Sequence, residues 1–404
     1  MGSGNLYLAA DSNHQSFRGA MGTSDRMDEI DIVRNLENLQ RSGGIRPLRT
    51  GARSLKKLLA LDHSPAVTLR SNGDGPVNIS RSHLIRELAQ IEEAKTLPRA
   101  RHYLDRLRRS LREIHQGKIN DINLLRWKEY DGIFTDSLWL LDRRDGSGGH
   151  SAWYWGNFVP QIPRQLMLRY TKAGDWVLDP FAGSGTTLLE SARLGRNCLG
   201  IELQASVARK ARSALRDLPD HTGSAVAIEV GDSRKIHLYD TLQSHGAKSV
   251  QLVILHPPYH DIIRFSKNRS DLSNARTPGE FARQFGKVVD NVSAVLDPGR
   301  ILAVVIGDKY EKGEWIPLGF MLMSEVLKRQ YRLKSIVVKN FEETTGKRSQ
   351  KELWRFRALA GGFYVFKHEY IFVFQKNQDI ASRDGGKYAS MGNSPAKSET
   401  NSES

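Results

Sequence analysis

Three carboxylates and a histidine stand at regular places in the middle of the chain: Asp179, Glu202, Asp232, and His256 in His256-Pro257-Pro258-Tyr259. Each closes a short apolar run. Residues 177–178 precede the first, 197–201 the second, 226–230 the third and 250–255 the fourth. Runs of this length, rich in aliphatic and β-branched residues, read as buried strands. Groups that accept protons or hydrogen bonds at successive strand ends would meet along the edge where an open parallel sheet binds ligands.

After Asp179 the chain continues Pro180-Phe181-Ala182-Gly183-Ser184-Gly185-Thr186-Thr187. Gly183 and Gly185 allow a tight turn and a close approach of backbone to ligand, and the threonines open a helix read over residues 188–194. The unpaired N–H groups at that helix start would face the ligand. Glu202 follows at the offset of about 20 residues where a βαβ unit brings a carboxylate to ribose hydroxyls. Strand, glycine turn, helix and acid together make a cofactor cradle, which a lone glycine turn would not.

At these positions the chain resembles the S-adenosylmethionine-dependent DNA methyltransferases that act on exocyclic amines, N4 of cytosine or N6 of adenine. The likeness is carried by DPFAGSGTT at 179–187, the acid ending the second strand, Asp232 ending the third, and the tetrapeptide closing in Pro-Pro-Tyr. Residues 156–175, GNFVPQIPRQLMLRYTKAGD, resemble the segment those enzymes place ahead of the cofactor strand, and the likeness runs from about Trp127 to Lys376. It implies an α/β class-I methyltransferase fold, Rossmann-like, with a doubly wound, mostly parallel seven-stranded sheet, here joined to an N-terminal helical domain. S-adenosylmethionine is implied as cofactor. Asn157 and Phe158 would sit at its methionine end and near its adenosine, and Asp179 on its ammonium, directly or through water. Pro180, Phe181, Gly183 and Gly185 would shape the turn, with Thr186 and Thr187 as auxiliary donors to its carboxylate. Glu202 would take the ribose hydroxyls and Asp232 the adenine amino group. Double-stranded DNA is the implied partner, with a homodimer or a partner subunit left open.

In that family the tetrapeptide carries the chemistry, which assigns catalysis here to His256, Pro257, Pro258 and Tyr259. An exocyclic amine is a poor nucleophile because its lone pair is delocalised into the ring. A side-chain acceptor at position 256 and the Pro257 carbonyl would each take one N–H and turn the lone pair outward. The prolines fix that backbone, and Tyr259 offers a face to a base flipped from the duplex. The family has Asp, Asn or Ser where this chain has His256. A neutral ring nitrogen can accept a hydrogen bond, and a histidine near its ordinary pKa of about 6.5 could also take the departing proton. Ser at this place leans to cytosine N4 and Asp or Asn to adenine N6, so His leaves the base open; the cofactor segment is slightly closer to the cytosine-N4 type. Methylation at cytosine C5 is excluded, since it needs a cysteine nucleophile and the single cysteine, Cys198, lies inside the second strand.

The elements that must hold these residues fill most of the chain. With 404 residues, 39% of them hydrophobic, it can bury one large core and a smaller one. A net charge of +15 points to a polyanion, most simply nucleic acid. One cysteine excludes internal disulfides and cysteine-built metal sites; no metal is expected, and a cytoplasmic location is. No apolar run approaches the roughly 18 residues of a spanning helix, so no membrane partner is expected.

Residues 1–53, rich in Gly, Ser, Asn and Arg, read as mostly disordered, with Met21 and Met27 as alternative starts. Residues 54–125 read as a helical accessory domain, extended around 66–79, with Ser80 and Ser82 as candidate caps for a helix at 83–94 and Pro98 opening another at 99–116. Leu104, Leu107, Leu111 and Ile114 form an apolar stripe on it, and Arg101, Arg108, Arg109 and Arg112 a solvated or phosphate-binding face. The catalytic domain, 126–376, has a joint at 145–150 and, past the tetrapeptide, a basic loop at 260–276. A helix at 277–296, a strand at 300–306, a helix at 317–330 and closing strands at 331–340 and 368–375 complete it. Between the last two, Lys347, Arg348, Lys351, Arg355 and Arg357 interleave with Trp354 and Phe356, a mix suited to phosphate contact and base stacking. Residues 377–404 read as a disordered tail. An RNA amino-methyltransferase, a protein-glutamine methyltransferase and a catalytically silent nucleic-acid-binding subunit stay open as alternatives. A restriction–modification or epigenetic role depends on neighbouring genes.

Overall fold

A computed structural model describes residues 25–61, 64–70, 76–141, 143–146, 153–154, 156–216, 223–340 and 351–378. The chain divides into two compact units, Met1–Gln116 with Asn123–Asp131, and Gly117–Ile122 with Gly132–Ser404.

The first unit contains α1 (Asp25–Gln40), α2 (Ile45–Leu61), β1 (Ala66–Arg70), β2 (Pro76–Ser80), α3 (Arg81–Glu93) and α4 (Leu97–Arg112). Leu48, Ala52, Leu55 and Leu59 recur at helical spacing along α2 and are buried in one core with Leu84, Leu88 and Ile91 of α3. Disorder was the expectation over residues 25–53, and α1 and α2 overturn it. Arg, Ser and Lys dilute the apolar stripe of α2, so average composition hides a periodicity that packing uses. Among the described residues helical structure is already present from Asp25, well ahead of residue 54. β1 and β2 form an antiparallel hairpin with Val67 opposite Ile79. On α4, Leu104, Leu107 and Leu111 are buried, but Ile114 lies past the helix end and is 57% exposed. The arginines of α4 meet acids: Arg112 meets Glu37 at 2.5 Å, Arg109 meets Glu113 at 3.4 Å and Arg108 meets Asp105 at 3.9 Å. These pairs leave less of the face for phosphate than the sequence allowed.

The second unit is a sheet between two helical layers. Its elements are β3 (Leu138–Trp139), α5 (Gln161–Tyr170), β4 (Trp176–Asp179), α6 (Thr186–Arg193), β5 (Asn197–Glu202), α7 (Ala205–Arg216), β6 (Val226–Val230), α8 (Leu238–Ser244) and β7 (Val250–Leu255). After these come α9 (Pro278–Val295), β8 (Leu296–Ile306), β9 (Lys309–Glu311), β10 (Glu314–Ile316), α10 (Leu318–Leu327), β11 (Tyr331–Asn340), α11 (Lys351–Gly361) and β12 (His368–Lys376). The strand order is β3-β11-β12-β8-β7-β4-β5-β6, parallel from β8 to β6, with β12 antiparallel to both β8 and β11.

Central parallel strands are covered on both faces, which is why 252–255 is a continuous apolar run rather than an alternating one. Val253 and Leu255 join Phe281, Phe285 and Val288 of α9 and Leu318 and Leu322 of α10 in one core. Leu252 and Ile254 join Ile162, Leu166 and Met167 of α5, Leu188 of α6 and Ala211 of α7 in the other. Each such side chain contributes roughly 1.5–3 kcal/mol by full burial. Thr277 caps α9 by accepting the Glu280 N–H at 3.1 Å, with Pro278 in the first turn.

The sheet has eight strands where seven were expected. The extra one is β3, whose two residues pair with β11 and are too short to show any period. Helix α11 was not foreseen either. Lys347, Arg348 and residues 147–150 of the joint lie outside the described residues, as do residues 1–24 and all of the tail beyond 378. No helix among the described residues is long and apolar enough to cross a membrane. From β4 the chain runs outward to β5 and β6, then returns to the opposite side of β4 as β7. At such a reversal the loops after the two central strands diverge and leave a crevice.

Candidate active site

The turn after β4 is built for close approach. Gly183 and Gly185 have φ of +51° and +86°, left-handed values that favour glycine. A Cβ on Gly183 would stand 3.0 Å from Cε1 of Tyr154. Three side chains hold the turn. Asp179 accepts the Phe181 N–H at 2.9 Å, Glu202 accepts the Gly183 N–H at 3.0 Å and the Gln204 N–H at 2.8 Å, and Ser184 Oγ donates to Asn157 Oδ1 at 2.7 Å. Burial pushes the Asp179 carboxyl up to about 6 and also raises that of Glu202, against the pull of its N–H donors.

A cavity of about 1020 Å³ opens beside the turn, at the upper end of the range for ligand pockets, about 300–1,000 Å³. Asn157, Phe158, Pro180, Phe181, Gly183, Thr186, Glu202 and Asp232 all lie on its wall, with His256, Pro257, Pro258 and Tyr259. The structure thus brings the tetrapeptide and most of the expected cofactor residues to one space. Asp179, Gly185 and Thr187 are not on the wall. Asp179 is 1% exposed and Thr187 fully buried. Neither side chain faces the cavity, and the roles implied for them on a cofactor's ammonium and carboxylate rest on the resemblance alone. They lie beneath the turn, because the strand's last residue and the helix's second threonine both point into the core.

Asp232 is clamped by Arg234, whose Nε reaches one carboxylate oxygen at 2.9 Å and whose Nη2 reaches the other at 2.7 Å. Burial alone would raise the Asp232 carboxyl; the Arg234 bonds outweigh it and hold it below the usual range. Tyr154 stacks on Phe265 with centroids 5.6 Å apart, which adds aromatic faces to the same wall.

At the end of β7, His256 packs against Phe158 with ring centroids 4.7 Å apart, and its Nε2 lies 3.4 Å from Tyr259 Oη. Tyr259 donates to Glu369 Oε2 at 2.7 Å, and Lys339 Nζ donates to Glu369 Oε1 at 3.0 Å. Glu369 and Lys339 are buried on β12 and β11. Burial lowers the His256 imidazole to about 4, with Glu369 opposing and Lys339 adding to the shift. His256 is therefore neutral at physiological pH. That suits a hydrogen-bond acceptor, and it revises the expectation of a proton acceptor matched to neutral pH. Burial would raise the Glu369 carboxyl, but Lys339, His256 and the Tyr259 hydroxyl together bring it below its ordinary value. Because the Tyr259 proton goes to the carboxylate, its oxygen is left to accept from His256 Nε2–H. This assigns the lone pair to Nδ1.

Glu369, Lys339, Arg234 and Arg144 were missed by the sequence reading. Glu369 had a signal: an acid in the strand His368-Glu369-Tyr370-Ile371-Phe372-Val373-Phe374, where its neighbours call for burial. Arg234 stands two residues from Asp232, but a nearby arginine does not by itself show a clamp; Lys339 and Arg144 carry no local mark, since their partners lie 30 and 14 residues away. Among the described residues no group of three His, Cys, Asp or Glu gathers to hold a metal.

A switch-point crevice, a glycine turn, strand-end carboxylates and a Pro-Pro-Tyr corner define a class-I methyltransferase. Residues 98–213 and 250–402 match the family model described as DNA methylase, and residues 165–287 match an RMKL-like methyltransferase domain. The first match spans more than half of the chain, and the chain belongs to the DNA methylase family. Type II methyltransferase M2.DpnII of Streptococcus pneumoniae is 35% identical over 103 residues, 24% of this chain and 38% of that protein. Type II methyltransferase M.MjaII of Methanocaldococcus jannaschii is 42% identical over 50 residues, 12% of this chain and 9% of that protein. The matched stretches thus span well under half of those relatives. Among solved structures, an S-adenosylmethionine-dependent methyltransferase from Methanosarcina mazei aligns with TM-score 0.37 and 17% identity over 53% of this chain and 98% of its own. TrmN from Thermus thermophilus aligns with TM-score 0.34 and 16% identity over 81% of this chain and 78% of its own.

S-adenosylmethionine is the cofactor of this family, and the wall fits it. Glu202 keeps carboxylate lone pairs for hydroxyl donors beyond the two N–H groups it already accepts. Asn157 Nδ2 is buried without a hydrogen-bond partner, as expected of a donor whose acceptor is a ligand.

Proposed function

We propose that this chain transfers a methyl group from S-adenosylmethionine to the exocyclic amine of a flipped base in double-stranded DNA, with cytosine N4 favoured slightly over adenine N6. The observation that carries this is a neutral His256 on the same cavity wall as Glu202, Asp232, Asn157 and Phe158. Glu202 would hold the cofactor's ribose hydroxyls, Asp232 its adenine amino group, and Asn157 and Phe158 its methionine end. When bound, the cofactor supplies an electrophilic methyl group.

The remaining work falls to this chain's own residues. His256 Nδ1 and the Pro257 carbonyl accept the two amine N–H bonds and turn the lone pair out of ring conjugation. Pro257 and Pro258 hold that carbonyl in place. Tyr259, fixed through its hydroxyl by Glu369, offers its ring to the extruded base. Helix α11 supports a DNA contact beside the cavity: Trp354 lines the wall, Arg357 lies 5.3 Å from its ring, and Phe356 is 68% exposed beside Arg355.

The test is methyl transfer from labelled S-adenosylmethionine to mixed-sequence duplex DNA, duplex RNA and protein, with product nucleosides resolved and His256→Ala run alongside. Label in N4-methylcytosine or N6-methyladenine that disappears in the variant is the expected result. Cofactor binding with no label in any substrate would overturn it in favour of a silent binding subunit, and label in RNA or protein would move the substrate.

A further inference from the structure

The cavity wall carries three permanently cationic side chains among the described residues, Arg144, Lys309 and Lys339. Lys309 meets Asp261 and Glu311, and Lys339 meets Glu369. Arg144 has no carboxylate partner. Its Nη1 donates to the Phe158 carbonyl at 2.9 Å, and its Nη2 is buried with no hydrogen-bond partner at all. Arg144 is half-buried, its guanidinium cannot shed its proton, and a donor nitrogen buried without a partner costs free energy that a fold rarely keeps without use. Asn157, the residue before Phe158, has a second orphan donor in its buried Nδ2. Two unmatched donors on one stretch of wall call for an oxyanion.

We propose that Arg144, assisted by Asn157, is an anion anchor that takes the carboxylate of the methyl donor's methionine end. The stretch bearing both donors is tied to the cofactor turn, since Asn157 Oδ1 accepts from Ser184 Oγ at 2.7 Å. This places the anchor on the cofactor side of the cavity, and that carboxylate is the cofactor's only anionic group. A guanidinium offers it two N–H donors in one plane, although here Phe158 already occupies one arm. The assignment rests on the methyl-donor reading above. A DNA phosphodiester has the same acceptor chemistry and is the competing source.

The experiment is calorimetric titration of the full chain with S-adenosylmethionine and with decarboxylated S-adenosylmethionine, for wild type, Arg144→Met and Arg144→Lys. Arg144→Met is expected to weaken S-adenosylmethionine binding by about 10- to 100-fold, the range of a lost charge-assisted hydrogen bond. It should leave binding of the decarboxylated ligand within about twofold, since one partner of the interaction is already absent. Arg144→Lys keeps the charge without the fork and should fall between, which preserves the test if the methionine variant does not fold. The ligand-free melting temperature of Arg144→Met should hold, because removal of the unmatched Nη2 donor offsets the Phe158 bond lost with Nη1. An equal loss for both ligands, or a drop in ligand-free melting temperature, would make Arg144 a structural residue and overturn the anchor. Unchanged S-adenosylmethionine binding with weaker duplex binding and a salt slope reduced by about 1 would assign the site to a phosphate instead. If the wild-type chain bound no S-adenosylmethionine, the methyl-donor reading itself would fail, and the anchor with it.

Discussion

Lys339→Met isolates the buried charge that sits behind the tetrapeptide. Lys339 and Glu369 are 5% and 7% exposed and joined at 3.0 Å, and Glu369 reaches His256 through the Tyr259 hydroxyl. Removing one partner of such a pair costs about 3–5 kcal/mol, because the other is left buried and uncompensated. Lys339→Met/Glu369→Gln removes both charges and should recover most of that loss. The Glu369 carboxyl is held below its ordinary value in the folded protein, so its contribution to stability is present above about pH 4.5 and is lost as pH falls through the depressed value. The cost of Lys339→Met should therefore be largest near neutral pH and shrink on acidification. Denaturant midpoints across pH measure this.

The same substitution changes the imidazole. Lys339 lowers the His256 value and Glu369 raises it; Phe158, on its other side, carries no charge. Removing Lys339 takes away one influence that lowers the imidazole, so the acid limb of kcat/KM, expected near pH 4 in the wild type, should move up. Glu369→Gln should move it down. The assay is kcat/KM against pH with labelled donor and duplex DNA. Shifts in the same direction for the two variants, or no shift in variants that remain folded, would refute the coupling of β11 and β12 to His256.

Other expectations follow from single contacts. Gly183→Ala should lower stability by about 1–3 kcal/mol, since it combines a φ of +51° with a Cβ 3.0 Å from Tyr154, and cofactor affinity should fall with it; thermal melts with and without S-adenosylmethionine check this. Arg234→Met frees the Asp232 carboxylate from its clamp and should weaken cofactor binding by about 10-fold without touching the tetrapeptide, which calorimetry reads directly. Cys198 is fully buried and its thiol is pushed up by burial, so it should resist a disulfide reagent in the native protein and react only on unfolding; prompt labelling of the native chain would contradict the placement of β5.

Much of the fold was legible because its signals are local. A parallel strand covered on both faces favours a continuous apolar run, as at residues 252–255, and a turn that enters left-handed backbone favours glycine, as at Gly183 and Gly185. Strand, turn, helix and strand-end acid lie within one short stretch of sequence, so the cofactor turn could be read without knowing any distant partner. Helices α1 and α2 failed that test, since their stripe shows only against the core that covers it.

The sequence by itself determined which residues form the cofactor turn and the tetrapeptide, and that Cys198 cannot be a nucleophile. Tertiary structure decided their electrostatic state. His256 alone has an ordinary pKa of about 6.5; burial beside Phe158, with Lys339 and Glu369 from the closing strands behind it, keeps it neutral. The same holds for Arg144, whose Nη2 is buried without a partner only in the folded chain. Charge and desolvation act through space across the whole fold. No spacing along the chain records them.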